Sequence, residues 1–316
     1  MMADPRHDRD TAPALCAACA DGGAANPDGI PSRAVGVSLL VLTAVLWSFG
    51  GLAVKTAGMH PVAFALLRSV AASIGMALLV PLGAGCRPPW RWLALSSALY
   101  TGTITLLIIA MTRGTAASGI LLQNTAPVFC AIFAWAFQRQ RIAGRTVLAI
   151  CIGVAGIVIM LASSPRHQGI VPPLCGLASG ICYAALIMVL QHMDSGGERI
   201  NPFHVVMCNN AGAVATLLPL WLATGAALPD MRQLAIVTAA GLFQVGLPYV
   251  TFQISLRRVH AVDASLLVLL EPVLNPAWVA LAGIEVPPPG TWAGGAAILA
   301  ALIIDATKTR SDAAPR

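Results

Sequence analysis

Glu271 stands inside a long apolar run, 261–283, followed at once by Pro272 and then by Asn275, Pro276 and Trp278. Glu271, Asn275 and Trp278 are spaced i, i+4 and i+7, which puts them on one face of a helix. If that run lies in lipid, a carboxylate there costs roughly 2.5–3.5 kcal/mol. Two arrangements would offset the cost. Either the carboxyl faces a polar cavity as a binding or proton-transfer group, or it is a structural carboxyl hydrogen-bonded to a neighbouring helix. The prolines add a second signal. Pro272 cannot donate to the carbonyl of Val268, nor Pro276 to that of Pro272. Carbonyls freed at membrane depth persist where protein, water or ligand satisfies them. This face is therefore expected to point inward.

Other polar groups sit in apolar surroundings. Gln123 and Asn124 lie one turn before Pro127. Gln244, Thr251 and Ser255 share one helical face around Pro248, with Tyr249 and Gln253 together on another, and Asn209 and Asn210 stand in a further run. Arg68 lies well inside its run. It could snorkel outward, pair with Glu271, bind the carbonyl end of a neighbouring helix, or face an anionic substrate. Polar groups of this kind either touch a ligand or only hold helices together, at about 0.6 kcal/mol each.

The elements that must position these residues follow from composition. The chain has 316 residues, 57% hydrophobic and 10% charged, against roughly 25% charged in soluble domains. Ten apolar segments are each long enough to cross a bilayer: 35–57, 62–82, 92–112, 116–137, 146–163, 170–190, 203–224, 234–256, 261–283 and 290–306. They are continuously apolar rather than alternating, so they read as helices and not as barrel strands. The expectation is an all-α integral membrane protein embedded in the lipid bilayer.

Charge sets the orientation. With the N-terminus inside, the inner loops and tails carry 14 of the 19 Lys and Arg residues and the outer loops carry four, Lys55, Arg113, Arg166 and Arg232, with Arg68 inside a helix. By the positive-inside rule both termini are cytoplasmic, in the cell membrane. The net charge of +6 is spread thinly over these loops, with no basic patch, so nucleic acid is not an expected partner. Residues 1–34 read as a disordered cytoplasmic tail and 307–316 as a short cytoplasmic one. Asp4, Asp8 and Asp10 argue against a signal peptide. Cys16 and Cys19 form a lone CxxC. The other cysteines, among them Cys86, Cys130 and Cys208, are scattered in or beside apolar runs, so neither a metal nor another cofactor is expected.

An internal repeat emerges from spacing. Pro127 lies 145 residues before Pro272, and Gln140 lies 145 before Glu285. Ala98-Leu99-Tyr100 lies 143 before Gly241-Leu242-Phe243. The halves are about 35–163 and 169–306, five helices each, so the second crosses the membrane upside down relative to the first. Ten helices in two inverted repeats with a site between them are a transporter signature. No HExxH, acid pair or nucleophile with its base suggests an enzyme. No GxxxxGK[ST] loop suggests an ATP-driven pump. A polytopic membrane enzyme and a non-transporting structural membrane protein remain the alternatives. Gly153 and Gly156, and Gly294 and Gly295, allow close helix contact, within the chain or in a homodimer.

The runs ASLLVLLEPVLNPAWVALAGIE (264–285) and SGILLQNTAPVFCAIFAWAFQRQRI (118–142) resemble the fourth helix and its exit in each half of the EamA family, in the drug/metabolite transporter superfamily. Trp47-Ser48-Phe49-Gly50 and Arg68 match the habits of that family's first half. The resemblance covers about 35–306. It implies a ten-helix inverted-repeat fold and the export or exchange of small metabolites, often amino acids or related compounds, through a central cavity. Two positions depart from the pattern: the first Glu-Pro is Ala126-Pro127, and the first exit Glu is Gln140. Proton coupling, if present, rests on Glu271. The expected cavity residues are Trp47, Arg68, Gln123, Asn124, Gln244, Tyr249, Gln253, Glu271 and Asn275.

Overall fold

A computed structural model describes residues 33–83, 85–113, 116–139, 142–163, 171–195, 200–225, 228–283 and 289–306. Both expected tails lie outside these residues, apart from Arg33 and Ala34, as do Gln140 and Glu285. The described chain is helical, and its only bridge-type pairing among the described residues is the isolated Cys86–Ile200 contact. The helices are α1 (Arg33–Ser48), α2 (Gly50–Ala57), α3 (Pro61–Leu79), α4 (Trp90–Arg113), α5 (Ala116–Gln123), α6 (Ala126–Gln138), α7 (Gly144–Ala162), α8 (Val171–Ser195), α9 (Pro202–Thr224), α10 (Met231–Ala239), α11 (Leu247–Leu256), α12 (Ala261–Leu267), α13 (Leu270–Leu281) and α14 (Pro289–Ala306). A π-helical segment, Ala240–Gly246, joins α10 to α11.

Among the described residues, eight spans are long and apolar enough to cross a membrane, so the protein is a multi-pass membrane protein. They correspond to eight of the ten apolar runs. The runs at 146–163 and 290–306 form α7 and α14, whose apolar stretches are shorter, Gly144–Ile159 and Trp292–Ala301. These two helices pack on each other. A Cβ on Gly156 would stand 2.7 Å from the carbonyl oxygen of Gly294 and 2.9 Å from Cγ1 of Ile298. Only glycine lets the two backbones approach so closely. These glycines are therefore used within the chain rather than left as a face for a second copy.

Among the described residues, three of the ten apolar runs are broken partway along their length. The first bends at Phe49, between α1 and α2. The fourth breaks at Asn124-Thr125, between α5 and α6, and the ninth at Val268-Leu269, between α12 and α13. The last two breaks fall just before Pro127 and Pro272, the prolines that stand 145 residues apart. In the ninth run the carbonyl of Val268 is not orphaned by Pro272: the Glu271 amide reaches back to it at 2.9 Å. A tight i to i+3 turn has replaced the lost helical bond, which corrects the expectation of a free carbonyl.

One end of the bundle is tied together by polar contacts and is called here the Arg33 face. Arg33 Nη2 pairs with Asp263 at 3.1 Å, and Arg257 Nη2 pairs with Asp194 at 3.0 Å. Asn201 caps α9 and donates to the carbonyls of Val80 (2.8 Å) and Gly83 (3.0 Å). At the opposite end an Asp230–Gln233 capping box starts α10, and Gln233 donates to the carbonyl of Ala57 at 3.2 Å. The core runs between the ends and includes Trp47, Tyr100, Leu186, Ile187, Phe252 and Leu266.

Candidate functional site

The helix breaks surround a cavity of about 110 Å³. Its polar lining is Arg68 from α3, Tyr100 from α4, Gln123 and Asn124 at the α5 break, Tyr183 from α8, Gln244 and Tyr249 from the α10–α11 span, and Glu271 and Asn275 from α13. Trp47, Gly50, Gly51 and Val54 line it from the α1–α2 bend. The cavity extends along α2, away from the Arg33 face.

Each side chain is held by its neighbours. Arg68 Nη1 donates to Gln244 Oε1 at 3.2 Å, and Gln244 Nε2 donates to the Trp47 carbonyl at 3.3 Å, beside the α1–α2 bend. Gly50 leaves room for that amide, since a Cβ there would stand 2.8 Å from Gln244 Nε2. The Arg68 guanidinium also lies 5.7 Å from the Phe64 ring centroid. Gln123 Nε2 donates to Ser179 Oγ at 3.2 Å, and Ser179 Oγ donates to the Thr103 carbonyl at 2.8 Å. Asn124 Nδ2 donates to the Ile120 carbonyl at 2.9 Å, satisfying a carbonyl at the break. Trp47 packs against Tyr249, with ring centroids 4.8 Å apart, against Phe252 at 5.4 Å and against Tyr183 at 6.2 Å.

Eight of the nine expected cavity residues meet here: Trp47, Arg68, Gln123, Asn124, Gln244, Tyr249, Glu271 and Asn275. Arg68 and Glu271 share the cavity but do not form an ion pair with each other, unlike Arg33–Asp263 and Arg257–Asp194 at the Arg33 face. The third residue of the Glu271 face, Trp278, turns to α1 instead. Its Nε1 donates to Ser48 Oγ at 2.8 Å and its ring stacks on Phe49 at 4.9 Å. Gln253 lies outside the cavity and is fully buried.

The expected grouping on the eighth apolar run needs correction. Gln244 and Tyr249, placed on different faces by a uniform helix, both line the cavity. The π-helical segment inserts an extra residue per turn just before α11, which brings positions five apart onto one side. Thr251 instead meets Thr43 on α1, with the hydroxyls 2.7 Å apart. Tyr100 and Tyr183 were not anticipated as site residues. The signal was available: the chain has 3 tyrosines, all deep in apolar runs, and all three line the cavity. Asn210 contributes indirectly, accepting the Tyr100 hydroxyl at 2.9 Å, while Asn209 accepts from Ser96 at 2.9 Å. No cluster of metal-ligating side chains forms among the described residues.

Comparison with known proteins agrees with this architecture. The model of the EamA-like transporter family matches residues 34–162 and 172–305. An uncharacterized transporter of Clostridium kluyveri is 24% identical over 192 residues, which are 58% of this chain and 61% of that protein. The match thus spans about three fifths of the relative's length. A protein of known crystal structure superposes with a TM-score of 0.76 at 19% identity, covering 90% of this chain and 100% of the other, a likeness of fold alone. Apolar helices long enough to cross a membrane, a polar cavity where they break, and a family match at residues 34–162 and 172–305 lead to one assignment: the chain belongs to the EamA-like transporter family of the drug/metabolite transporter superfamily.

Proposed function

We propose that the protein is a secondary transporter that exports or exchanges small metabolites, amino acids or related compounds, rather than an enzyme. Ten transmembrane helices form two inverted five-helix repeats, about 35–163 and 169–306. The halves rock about the cavity to open it to each side in turn. The paired helix breaks at Asn124-Thr125 and Val268-Leu269 support the repeat, as does the match of the family model to both halves. The distribution of Lys and Arg supports cytoplasmic termini in the cell membrane, which makes the Arg33 face the cytoplasmic one.

The observation that carries the reading is the cavity's pairing of opposite charges that do not neutralise each other. Arg68 and Glu271 both line it, no described side chain hydrogen-bonds the Glu271 carboxylate, and neutral amides and tyrosines lie around them. A packing carboxyl in lipid would be held by a partner. A carboxylate facing a polar cavity is instead suited to take an ammonium group or a proton, while Arg68 takes a carboxylate. Trp47, Tyr100 and Tyr249 offer apolar ring area between the two. Glu271 is also the proton-coupling group in this reading. The test is a flux screen in proteoliposomes loaded with zwitterionic metabolites. Saturable flux of at least one such compound is expected, and it should be inhibited by its close analogues. No flux of any compound would overturn the proposal.

A further inference from the structure

The side of the cavity nearest the Arg33 face is closed in layers. Trp47, Tyr183, Tyr249 and Phe252 form an aromatic floor, with Tyr183 and Phe252 ring centroids 6.4 Å apart. Directly beneath it, Gln253 is 0% exposed, and neither amide atom has a hydrogen-bond partner. Below that, Arg257 Nε donates to Asp194 Oδ1 at 3.1 Å, and Arg257 also donates to the carbonyl of Ile200. The Gln253 side chain and the Ile200 backbone N–H both stand against the Asp194 carboxylate, outside ideal hydrogen-bond geometry.

These residues are not scattered. Tyr249, Gln253 and Arg257 follow at i, i+4 and i+8 along one stripe of α11 and its exit. Tyr183 and Asp194 are eleven residues apart, so at about 100° per residue they share a face of α8, with roughly 16 Å of rise between them. Ile187 and Leu190 complete that face and are fully buried. Two facing stripes thus run from the cavity floor to the Arg33 face, polar at both ends, with an unpartnered amide between. A buried amide without a well-formed hydrogen bond is disfavoured in a packed interior, because its desolvation is only partly offset by the neighbouring Asp194 carboxylate. It is accounted for if the same side chain meets water or substrate in another conformation.

We infer that these stripes are the closed half of the translocation path, that the Arg257–Asp194 pair is its latch, and that Gln253 becomes a substrate-facing group when the latch opens. This rests on the alternating-access reading above. It also explains why Gln253, a polar residue of the right type on the right helix, lies outside the cavity seen here.

The test is thiol labelling of Gln253→Cys after replacement of the eight native cysteines. A membrane-impermeant maleimide is applied to inside-out vesicles and to intact cells. Slow labelling is expected from the Arg33 face only. Asp194→Asn should raise that rate at least about tenfold, the effect of about 1.4 kcal/mol on the open–closed equilibrium. The charge exchange Asp194→Arg with Arg257→Asp should return it towards the original rate, and it serves as the readout if Asp194→Asn fails to fold. An unchanged rate in a folded Asp194→Asn protein, or labelling from the cavity side, would overturn the inference. Labelling needs no substrate. A protein that transports with latch-independent labelling refutes the latch alone, and latch-dependent labelling without flux refutes the transport reading alone.

Discussion

Replacing Gln244 with Leu should destabilise the protein through the site rather than through its packing. Gln244 makes two bonds that Leu cannot: it accepts from Arg68 Nη1 at 3.2 Å and donates to the Trp47 carbonyl at 3.3 Å. A hydrogen bond involving a charged group contributes about 1.5–3 kcal/mol and a neutral one about 0.5–1.5 kcal/mol. The Trp47 bond is long, and Arg68 borders a cavity that water can enter, so both belong at the low end. The expected loss is about 2 kcal/mol. Thermal unfolding of purified protein in detergent should show a clear drop in melting temperature for Gln244→Leu. Gln244→Glu keeps the acceptor and sets a carboxylate beside Arg68 while losing the donor to Trp47, so its drop should be smaller. A Gln244→Leu protein as stable as the parent, within about 0.5 kcal/mol, would show that this relay does not exist.

Four further substitutions follow from close approaches and from the site. Gly156→Ala sets a methyl against the Gly294 backbone and should lower the melting temperature by an amount equivalent to about 1–3 kcal/mol. Gly144→Ala, at the start of the same helix with open space around it, should leave it unchanged or raise it. Gly51→Ala would place a Cβ against the Asn275 amide, closest to Oδ1 and 2.9 Å from Cγ, so that side chain has to swing away. Its expected signature is a raised KM for transport with little change in stability. Arg68→Lys keeps the charge but loses the planar fork, and transport of a carboxylate-bearing substrate should weaken by about tenfold or more, read as kcat/KM in flux assays.

How far the sequence could be read follows from what each feature depends on. Spans are set by long apolar runs, and run length survives without tertiary information, so the ends of α9 and α14 fall within a residue of the runs that announce them. Glu271 and Asn275 were legible because a helix wheel holds within one unbroken segment, and α13 is such a segment. The wheel failed where the backbone departs from 3.6 residues per turn. The π-helical segment before α11 moved Gln244 to the side of Tyr249, and nothing in the local composition announces it. The carbonyl of Val268 was expected to be free because proline removes its donor, but the chain tightened by one residue and the Glu271 amide took over. Gln253 was legible as a polar residue beside the path. Its absence from the cavity depends on which side of the bundle is closed, a property of conformation rather than of residue type.

The most direct test of the transport mechanism is accumulation of substrate against its gradient in proteoliposomes, driven by an imposed pH difference, comparing the parent with Glu271→Gln. The variant keeps the size and polarity of the side chain but cannot carry a proton or a charge. Driven accumulation by the parent, lost in Glu271→Gln while unlabelled-for-labelled exchange continues, is the predicted result. Accumulation by Glu271→Gln equal to that of the parent would contradict it.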